Sequence, residues 1–437
     1  MGARCHGIAP LFLFLFPMFT SLILLSIAHP APRASPAPLL EDLERRAVRF
    51  FWEQSNPVNG FSKDRATNAE GKDAHEVASC ASVGFALVAY AIGAERGWIP
   101  RREALDRTRV TLRGLMTRWP NERGWLYHFI DYNKGTRIWN CEASSIDTSI
   151  CLAGVLASQR YWKDRDVDRD ANAFQKRIDW QWMLTDGGDK PDSRHFSMGW
   201  HPGEGFINAR WNDFNECKML YIQAYGSTSL PKDSWEKIKR TPVSYGGFDL
   251  FTGGPLFMHQ MTESFYDFRN KRDRLGIDYG VETRNATLGN RQYCIDNPKK
   301  MAAYGPTFWG LSACDGPDGY NAFGAPGWVN DEGVVTPTSA VASMPFTPAE
   351  SQAFAVAMRK DHTEAWGKYG FPNGYCPQRN WVGPDVIGID LGMMMCGLEN
   401  ARSGFVWKLS NSHPVVQRGF RLAGLRPAKP DPRLRLP

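Results

Sequence analysis

The sequence predicts an all-α domain in which buried helices alternate with amphipathic ones, as in an α/α toroid. The segment 77–95 is almost wholly apolar, which is typical of a buried helix. The segments 39–55 and 101–117 instead place their apolar residues on one helical face. Strict alternation of apolar and polar residues, the pattern of a half-buried strand, is scarce. An inner ring of helices wrapped by an outer ring explains this pattern.

Long loops separate the predicted helices. The helices are expected at 39–55, 77–95, 101–117, 146–162, 171–182, 213–225, 232–239, 259–270, 280–295, 336–343, 349–366, 388–401 and 411–421. Loops longer than usual cover 118–141, 183–212, 241–258 and 314–335. The chain has 16 Trp, 14 Tyr and 25 Phe, and many of these rings fall in the loops. We therefore expect aromatic-rich loops to form a cleft at one end of the toroid.

The N-terminal region has the order of a secretory signal. Residues 11–27 form an apolar run behind a short stretch with Arg4, and Pro, Ala and Ser are frequent over 28–38. Cleavage is expected between Ala28 and Ser35, and a retained membrane anchor is the alternative because the run is only just short of a bilayer span. We expect a periplasmic or secreted protein with no stable membrane association after signal removal. The predicted division is residues 1–35 as signal peptide and small-residue linker, 36–425 as a single helical domain, and 426–437 as a flexible basic tail.

Charge and cysteine content exclude several classes of site. The net charge is +6, and the basic residues form no stripe with interleaved aromatic rings, so nucleic acid is not an expected partner. The eight cysteines beyond the signal include no CxxC pair, so neither zinc nor any other metal is expected. Four of them lie in apolar helical segments and are predicted core residues; a disulfide among the others stays open. We expect a monomer.

The stretch 199–231 changes from an aromatic, Gly-rich loop to an apolar helix over 213–225. Glu216 is predicted in the first turn of this helix, with Asn212 or Asp213 as the cap. There the helix N-terminus favours the ionised carboxylate, whereas desolvation among aromatic rings favours the neutral acid. Glu216 is therefore either a capping residue or a catalytic acid.

Two further acids lie at the starts of apolar helices. Asp147 lies at the start of the predicted helix 146–162. Asp390 lies at the start of the predicted helix 388–401, directly before the nearly apolar stretch LGMMMCGLENA. Each taken alone is readily explained as a first-turn carboxylate. The inner helices of a toroid present equivalent ends to one pocket, however, so Asp147, Glu216 and Asp390 are expected to converge. Cleavage of a glycosidic bond requires two such carboxyl groups, one protonated and one ionised.

Loop side chains supply the candidate substrate-binding residues. Aromatic rings stack on the apolar faces of sugars, and polar groups beside them accept or donate hydrogen bonds. Gly- and Pro-rich turns carry several of these side chains, although turn chemistry alone also explains those segments. The candidates are Trp200, His201, Phe248, Trp309, Asp315, Asp318, Tyr320 and Trp381.

Nine segments between residues 45 and 407 form extended motifs. They are RFFWEQSNPVNGFSKDRA (49–66), GWLYHFID (124–131), EASSIDTSICLAGVL (142–156), MGWHPGEGF (198–206), FNECKMLYIQAYGS (214–227), YGGFDLFTGGPLFMHQ (245–260), YGPTFWGLSACDGPDGYNAFGAP (304–326), VVTPTSAVASMPFTPAES (334–351) and GIDLGMMMCGLENARSGFVW (388–407). In this order they resemble the glucoamylase-like domain of bacterial secreted and periplasmic proteins. That family includes endo-β-1,2-glucanases and related β-1,2-glucan-active enzymes.

The resemblance implies an (α/α)6 barrel and a glycoside hydrolase that cleaves β-glucan, β-1,2-glucan first of all, without a metal or other cofactor. It implies that Glu216 is the general acid and that an acid matching Asp147 also acts. Some members carry a second acid three residues before that position, where this chain has Ser144. Glu142 is the alternative source of this carboxylate. Asp390 is the candidate base, and activation of water with inversion is expected.

Two other functions fit part of the pattern. A toroidal polysaccharide lyase would use a base such as Tyr127 with His128, but the loops are no richer in arginine than the rest of the chain. A non-catalytic, glucan-binding periplasmic protein would keep the cleft and lose the chemistry. Related transglycosylases retain configuration instead of inverting it. The sequence leaves open the linkage, endo or exo action, and the preferred chain length.

Overall fold

Helices dominate the computed structural model, which describes residues 38–435. The α-helices in this range are α1 (Pro38–Glu53), α2 (Cys80–Glu95), α3 (Arg101–Thr117), α4 (Ser145–Trp162), α5 (Arg165–Arg177), α6 (Trp180–Thr185), α7 (Lys218–Ser227), α8 (Ser234–Lys237), α9 (Phe257–Phe265), α10 (Tyr279–Asp296), α11 (Pro337–Ala342), α12 (Pro348–Asp361), α13 (Gly388–Ser403), α14 (Phe405–Asn411) and α15 (Pro414–Leu422). Short 3-10 helices cover Asp186–Gly188, Pro377–Arg379 and Pro432–Leu434. The predominance of helix agrees with the predicted class.

Two kinds of helix occur, as the sequence predicts. Nearly every residue of α2, α4, α7 and α13 is buried, whereas α1, α3 and α5 bury one face only. The buried helices carry Ala, Gly, Met and small polar residues all around, because other helices cover them on every side. Together these features are consistent with an α/α toroid.

Glycines allow the buried helices to approach closely. A Cβ on Gly154 of α4 would lie 2.0 Å from the carbonyl oxygen of Gly84 on α2, so only glycine fits at this crossing. At the start of α13, a Cβ on Gly388 would lie 1.8 Å from Oγ of Ser82 on α2. The first turns of α2 and α13 are therefore packed against each other, which bears on the site described below.

The long loops contain short antiparallel strands, most of which the sequence did not predict. In the described residues they are β1 (Arg65–Thr67), β2 (Val77–Ser79), β3 (Asn121–Glu122), β4 (Trp125–Leu126), β5 (Phe129–Asp131), β6 (Ala143–Ser144), β7 (Gly199–His201), β8 (Gly205–Phe206), β9 (Pro242–Tyr245), β10 (Phe248–Phe251), β11 (Lys271–Arg272), β12 (Ala313–Gly316), β13 (Gly319–Ala322), β14 (Tyr375–Cys376), β15 (Trp381–Val382), β16 (Asp385–Ile387) and β17 (Arg426–Pro427). Strands of two to four residues are too short to show a period-two pattern.

Two pairings tie distant loops to helix starts. In the three-stranded sheet β6–β7–β8, Ala143 pairs with Trp200 and Ser144 with Gly199, directly before α4. Strand β1 pairs with β16, directly before α13, so that Arg65 lies opposite Ile387. The loops are thus hydrogen-bonded to the ends of the buried helices.

Most predicted helices are confirmed to within a few residues, with four differences. The segment 171–182 is divided between α5 and α6, because Asp179 caps a new helix by accepting the amide hydrogen of Trp182 at 3.0 Å. The helix predicted over 232–239 has only four residues, and α14 was not predicted. The helix predicted over 213–225 begins at Lys218.

The C-terminal segment of the described chain packs on the domain, through β17 and Leu434. The predicted signal peptide and linker over residues 1–35 lie outside the described residues. The predicted tail is attached to the domain over its described part, since β17 pairs with β11 and Leu434 is buried. Between residues 38 and 435, no helix combines the length and apolarity needed to cross a bilayer. The eight cysteines of this range are free and buried.

Candidate active site

Three buried helices begin near the loops, each with one of the predicted acids. Asp147 lies in the first turn of α4 and Asp390 in the first turn of α13. Glu216 lies in a turn two residues before α7, and not inside its first turn as the sequence predicted. Neither Asn212 nor Asp213 caps the helix: the cap residue is Cys217, no side chain caps it, and Oδ1 of Asn215 accepts the amide hydrogen of Cys217 at 2.9 Å in the preceding turn.

Glu216 is half-buried within electrostatic range of a second acid. Burial raises the pKa of Glu216 to about 7, and the nearby negative charge of Asp147 adds to this rise. The ammonium group of Lys218 acts in the opposite direction. Near neutral pH this carboxyl group is therefore partly protonated, as a general acid must be.

A buried ion pair holds the turn that carries Glu216. Nζ of Lys218 lies 2.6 Å from Oε1 of Glu263 on α9, and both side chains are almost fully buried. The same ammonium group lies 4.7 Å from the centre of the Phe214 ring. Oγ1 of Thr262 donates to the carbonyl oxygen of Glu216 at 2.8 Å. The start of α7 is thus fixed to α9 from both sides of Glu216.

Asp147 is held by two neighbours. Oγ of Ser144 donates to Oδ2 of Asp147 at 2.6 Å, and the same oxygen accepts the amide hydrogen of Asp147 as the cap of α4. Nε2 of His128 lies 3.4 Å from Oδ1 of Asp147, while its Nδ1 lies 3.0 Å from Oε1 of Glu142. Ser144 therefore both caps α4 and orients Asp147.

His128 links these two carboxylates by its charge. Burial alone would lower its pKa, but the charges of Asp147 and Glu142 outweigh it and raise the pKa of His128 to about 9. Burial alone would likewise raise the pKa of Glu142, but the hydrogen bond from His128 lowers it. Glu142 is consequently an ionised partner of a histidinium.

The same three side chains have the spacing of a cation site. One ligand atom each from His128, Glu142 and Asp147 lies within 4.8 Å of the others. The imidazole ring of His128 lies between the two carboxylates, with one ring nitrogen facing each of them. These contacts explain why the three side chains lie together without a metal ion.

Asp390 lies among a second group of charged residues. Nδ2 of Asn373 donates to Oδ2 of Asp390 at 2.6 Å. Burial raises the pKa of Asp390 to about 7; the Asn373 hydrogen bond lowers it, and the charges of Asp315 and Asp64 raise it. A guanidinium nitrogen of Arg65 lies 3.0 Å from Asp315 and also counters these charges.

Asp64 connects the two groups and was not predicted. Burial raises its pKa, and the charge of Asp147 adds to that rise, while Arg65 and His128 act in the opposite direction. Asp64 thus lies within electrostatic range of the start of α4 and, through its effect on Asp390, of α13. It precedes a strand instead of a helix, so a search for acids at helix starts could not find it. Electrostatic interactions thus run from Glu216 to Asp147, from Asp147 to Asp64 and from Asp64 to Asp390, and the joint action of these acids on a substrate stays a prediction.

Two predicted binding residues lie beside Glu142. Trp200 is half-buried on β7 and packs on Trp182, with ring centroids 5.6 Å apart. Nδ1 of His201 lies 3.0 Å from the carbonyl oxygen of Asn140, and its charge contributes to lowering the pKa of Glu142. Their sheet leads into α4, which places them next to the acid cluster.

The hairpin β12–β13 carries three of the predicted residues. Asp315 pairs with Arg65, as described above, and Tyr320 lies directly opposite Asp315 in the hairpin. The Tyr320 side chain is 55% exposed, yet burial and the charge of Asp390 raise the pKa of its hydroxyl. Tyr320 is therefore open to solvent next to Asp315 and within electrostatic range of Asp390. Asp318, at the tip, forms an exposed ion pair with Arg379 instead.

The prediction for Trp309 is wrong. Its side chain is 0% exposed and packs on Phe354 with ring centroids 5.9 Å apart, so no face is available to a sugar. Trp381 is half-buried on β15 and packs on a small cluster that includes Phe323. Phe248 is half-buried on β10. For these last two residues, contact with substrate stays a prediction.

Comparisons with known proteins agree with this description. Residues 208–414 match the Glycoamylase family model, described as "Putative glucoamylase". A crystal structure from Bacteroides uniformis with the same description has a TM-score of 0.82 and 29% identity, and the match covers 90% of this chain and 98% of that one. The resemblance to the glucoamylase-like family is confirmed.

Other glucoamylase-like relatives have named activities. The endo-β-1,2-glucanase of Chitinophaga pinensis, solved with sophorotriose and glucose, has a TM-score of 0.81 and 28% identity over 89% of this chain and 98% of that one. The exo-β-1,2-glucooligosaccharide sophorohydrolase (non-reducing end) of Parabacteroides distasonis is 26% identical over 424 residues, which is 88% of this chain. The match spans 57% of that relative's length.

Proposed function

We propose that this protein is a glycoside hydrolase that cleaves β-1,2-glucan, with Glu216 as its general acid. The observation that carries the proposal is that Glu216 and Asp147 lie at the starts of two buried helices, α7 and α4, within electrostatic range of each other, and that burial raises the pKa of Glu216 to about 7. The named relatives act on β-1,2-linked glucans, which supports this substrate class.

Each of the four carboxyl groups would have its own role. Glu216 would protonate the glycosidic oxygen, and Asp390 would take a proton from the attacking water, giving inversion through an oxocarbenium-like transition state. Asp147, held by Ser144 and His128, would stabilise the developing positive charge. Glu142 would hold His128 in place and would not react itself. No step needs a metal or an organic cofactor.

The finer architecture is also a proposal, namely an (α/α)6 barrel with the acids in a cleft at one end. Contacts among the buried helices support it: they run from α2 to α4, α7, α9, α11 and α13 and return to α2. Side-chain hydrogen bonds make the links from α7 to α9 and from α9 to α11, such as that from Nε2 of Gln260 on α9 to the carbonyl oxygen of Ser339 on α11 at 2.8 Å. A closed ring of this kind brings all helix starts on one end to a common axis.

Export remains a proposal that rests on the sequence alone. We propose that residues 1–35 direct the chain to the periplasm or the medium, and that the domain acts there as a monomer. N-terminal sequencing of the protein recovered from the periplasm tests the cleavage, and size-exclusion chromatography tests the monomer.

Product analysis tests the activity. The purified protein is incubated with β-1,2-, β-1,3- and β-1,4-glucans and with starch, and the products are separated by chromatography. We expect products from β-1,2-glucan alone. Release of sophorose only would indicate exo action, and a ladder of oligosaccharides would indicate endo action. Binding without hydrolysis on every glucan would contradict the proposal.

A further inference from the structure

We propose that Trp139, on the loop before Glu142, is a binding site for a pyranose ring of the substrate, adjacent to the acid cluster. The proposal rests on the proposed function for the identity of the sugar. Trp139 was not among the predicted binding residues. Its side chain is 70% exposed, which is unusual for the largest apolar side chain and costs hydrophobic free energy unless a ligand covers it.

A series of ring contacts joins this exposed indole to the acids. Trp139 packs edge-on against Phe129, with ring centroids 5.3 Å apart. Phe129 stacks on His128, with centroids 3.7 Å apart and planes 16° from parallel. His128 in turn contacts Glu142 and Asp147. Along this series, two rings, those of Trp139 and Phe129, would separate a bound sugar from His128, which holds Asp147.

The backbone at Trp139 is one that tryptophan rarely adopts. Trp139 and Asn140 have φ values of +54° and +49°, and the amide of Cys141 donates to the carbonyl oxygen of Ile138 at 3.1 Å. Such a tight turn with two positive φ values favours Asn, Asp or Gly at both central positions. The turn therefore does not account for a tryptophan, whereas a ligand site does.

Neighbouring residues fix the turn. Nε of Arg137 donates to the carbonyl oxygen of Cys141 at 2.6 Å, and His201 contacts the carbonyl oxygen of Asn140 at 3.0 Å. The thiol of Cys141 exchanges hydrogen bonds with the backbone of Phe129 at 3.2 Å. A platform held in this way loses little conformational entropy when a sugar binds.

The position of Trp139 also complements Tyr320. The exposed ring of Tyr320 lies at the Asp315 and Asp390 side of the acids, and Trp139 lies at the Glu142 and Asp147 side. An oligosaccharide that crosses the acids from one side to the other would meet an aromatic ring on each.

Steady-state kinetics on β-1,2-linked glucose oligomers, from the disaccharide to the hexasaccharide, test the proposal. For Trp139→Ala we expect KM to rise about tenfold on the longer oligomers with kcat nearly unchanged, because stacking holds the chain but takes no part in bond cleavage. Trp139→Phe keeps a ring and should recover most of the loss. Trp98→Ala is the matched control, since Trp98 follows the far end of α2, about 24 Å along that helix.

Binding separates this proposal from the proposed function. Calorimetry of the same oligomers with Glu216→Gln, alone and combined with Trp139→Ala, measures affinity without turnover. If the protein binds oligomers through Trp139 but the wild type hydrolyses none, the proposed function fails and this inference stands. Equal KM and equal affinity with and without the indole, or no oligomer binding at all, would overturn the inference.

Discussion

Nε2 of His128 lies 3.4 Å from Oδ1 of Asp147, so a histidinium on a loop holds the acid that opens a buried helix. The contact connects the fold to the proposed chemistry. The loop 121–144 places His128 next to the start of α4, where its hydrogen bond and its charge lower the pKa of Glu142. Stability and activity should both depend on it.

Replacement of His128 by Gln should remove a pH-dependent contribution to stability. Because its pKa is raised to about 9 in the folded state, the contribution is fully present below the ordinary value of 6.5 and is lost as the pH rises through 9. The shift corresponds to about 3 kcal/mol at most. Urea unfolding of wild type and His128→Gln across this range measures it. A constant difference between the two proteins at every pH would contradict the assignment.

Asn373 should tune the proposed base. Its hydrogen bond lowers the pKa of Asp390, which burial has raised to about 7. Asn373→Ala should therefore raise that pKa, and the acid limb of the kcat/KM profile should move up by about one pH unit. The control is Asp390→Asn, which should abolish hydrolysis. An Asn373→Ala profile that matches the wild-type profile after scaling would remove Asp390 from the role of base.

Removal of one partner from the buried ion pair of Lys218 and Glu263 should strongly lower the free energy of unfolding. Lys218→Met leaves the Glu263 carboxylate buried without its partner, so we expect a loss of about 3–5 kcal/mol in unfolding free energy. The double variant with Glu263→Gln should recover most of that loss. Chemical denaturation of the single and double variants measures both effects. A double variant that is no more stable than Lys218→Met would show that the pair is not coupled.

Two buried acids outside the candidate site, Glu44 and Glu399, should lower the free energy of unfolding at high pH. Glu44 on α1 is fully buried, and burial, together with the nearby Glu399 on α13, raises its pKa well above the ordinary value, although Arg402 and Arg96 partly offset this. The contribution of protonated Glu44 to the free energy of unfolding is therefore fully present below pH 4.5, and it is lost as the pH rises towards the pKa of Glu44 in the folded state.

Glu44→Gln removes this ionisation while preserving the shape of the side chain. Its melting temperature should exceed that of the wild type at mildly alkaline pH, and the difference should vanish in mild acid. Differential scanning calorimetry at both pH values measures this. A variant less stable than wild type at alkaline pH would mean that Glu44 is needed in its ionised form.

The sequence predicted the helices better than it predicted the loops. Buried and amphipathic helices differ in composition over many residues, so α2, α3 and α4 could be placed to within a few positions. Asp147 and Asp390 were found because a helix start is a local pattern. Glu216 was found too, but the turn 212–217 is stabilised by contacts with α9, which no local pattern reports.

Residues joined only by tertiary contacts were missed. Asp64 and Trp139 lie in loops whose strands pair with distant segments, and their relation to the acids exists only after folding. Trp309 was misassigned for the same reason, because an aromatic residue in a Gly-rich segment looks identical whether it is exposed or in the core. Fractional exposure is a property of the whole fold.

The rate at which the Glu216→Gln variant hydrolyses β-1,2-glucan decides whether Glu216 is the general acid. The amide has nearly the same shape but cannot donate the catalytic proton, so the rate of reducing-sugar release should fall at least about a hundredfold while the circular dichroism spectrum stays that of the wild type. A folded Glu216→Gln variant that keeps most of the wild-type rate would contradict the account.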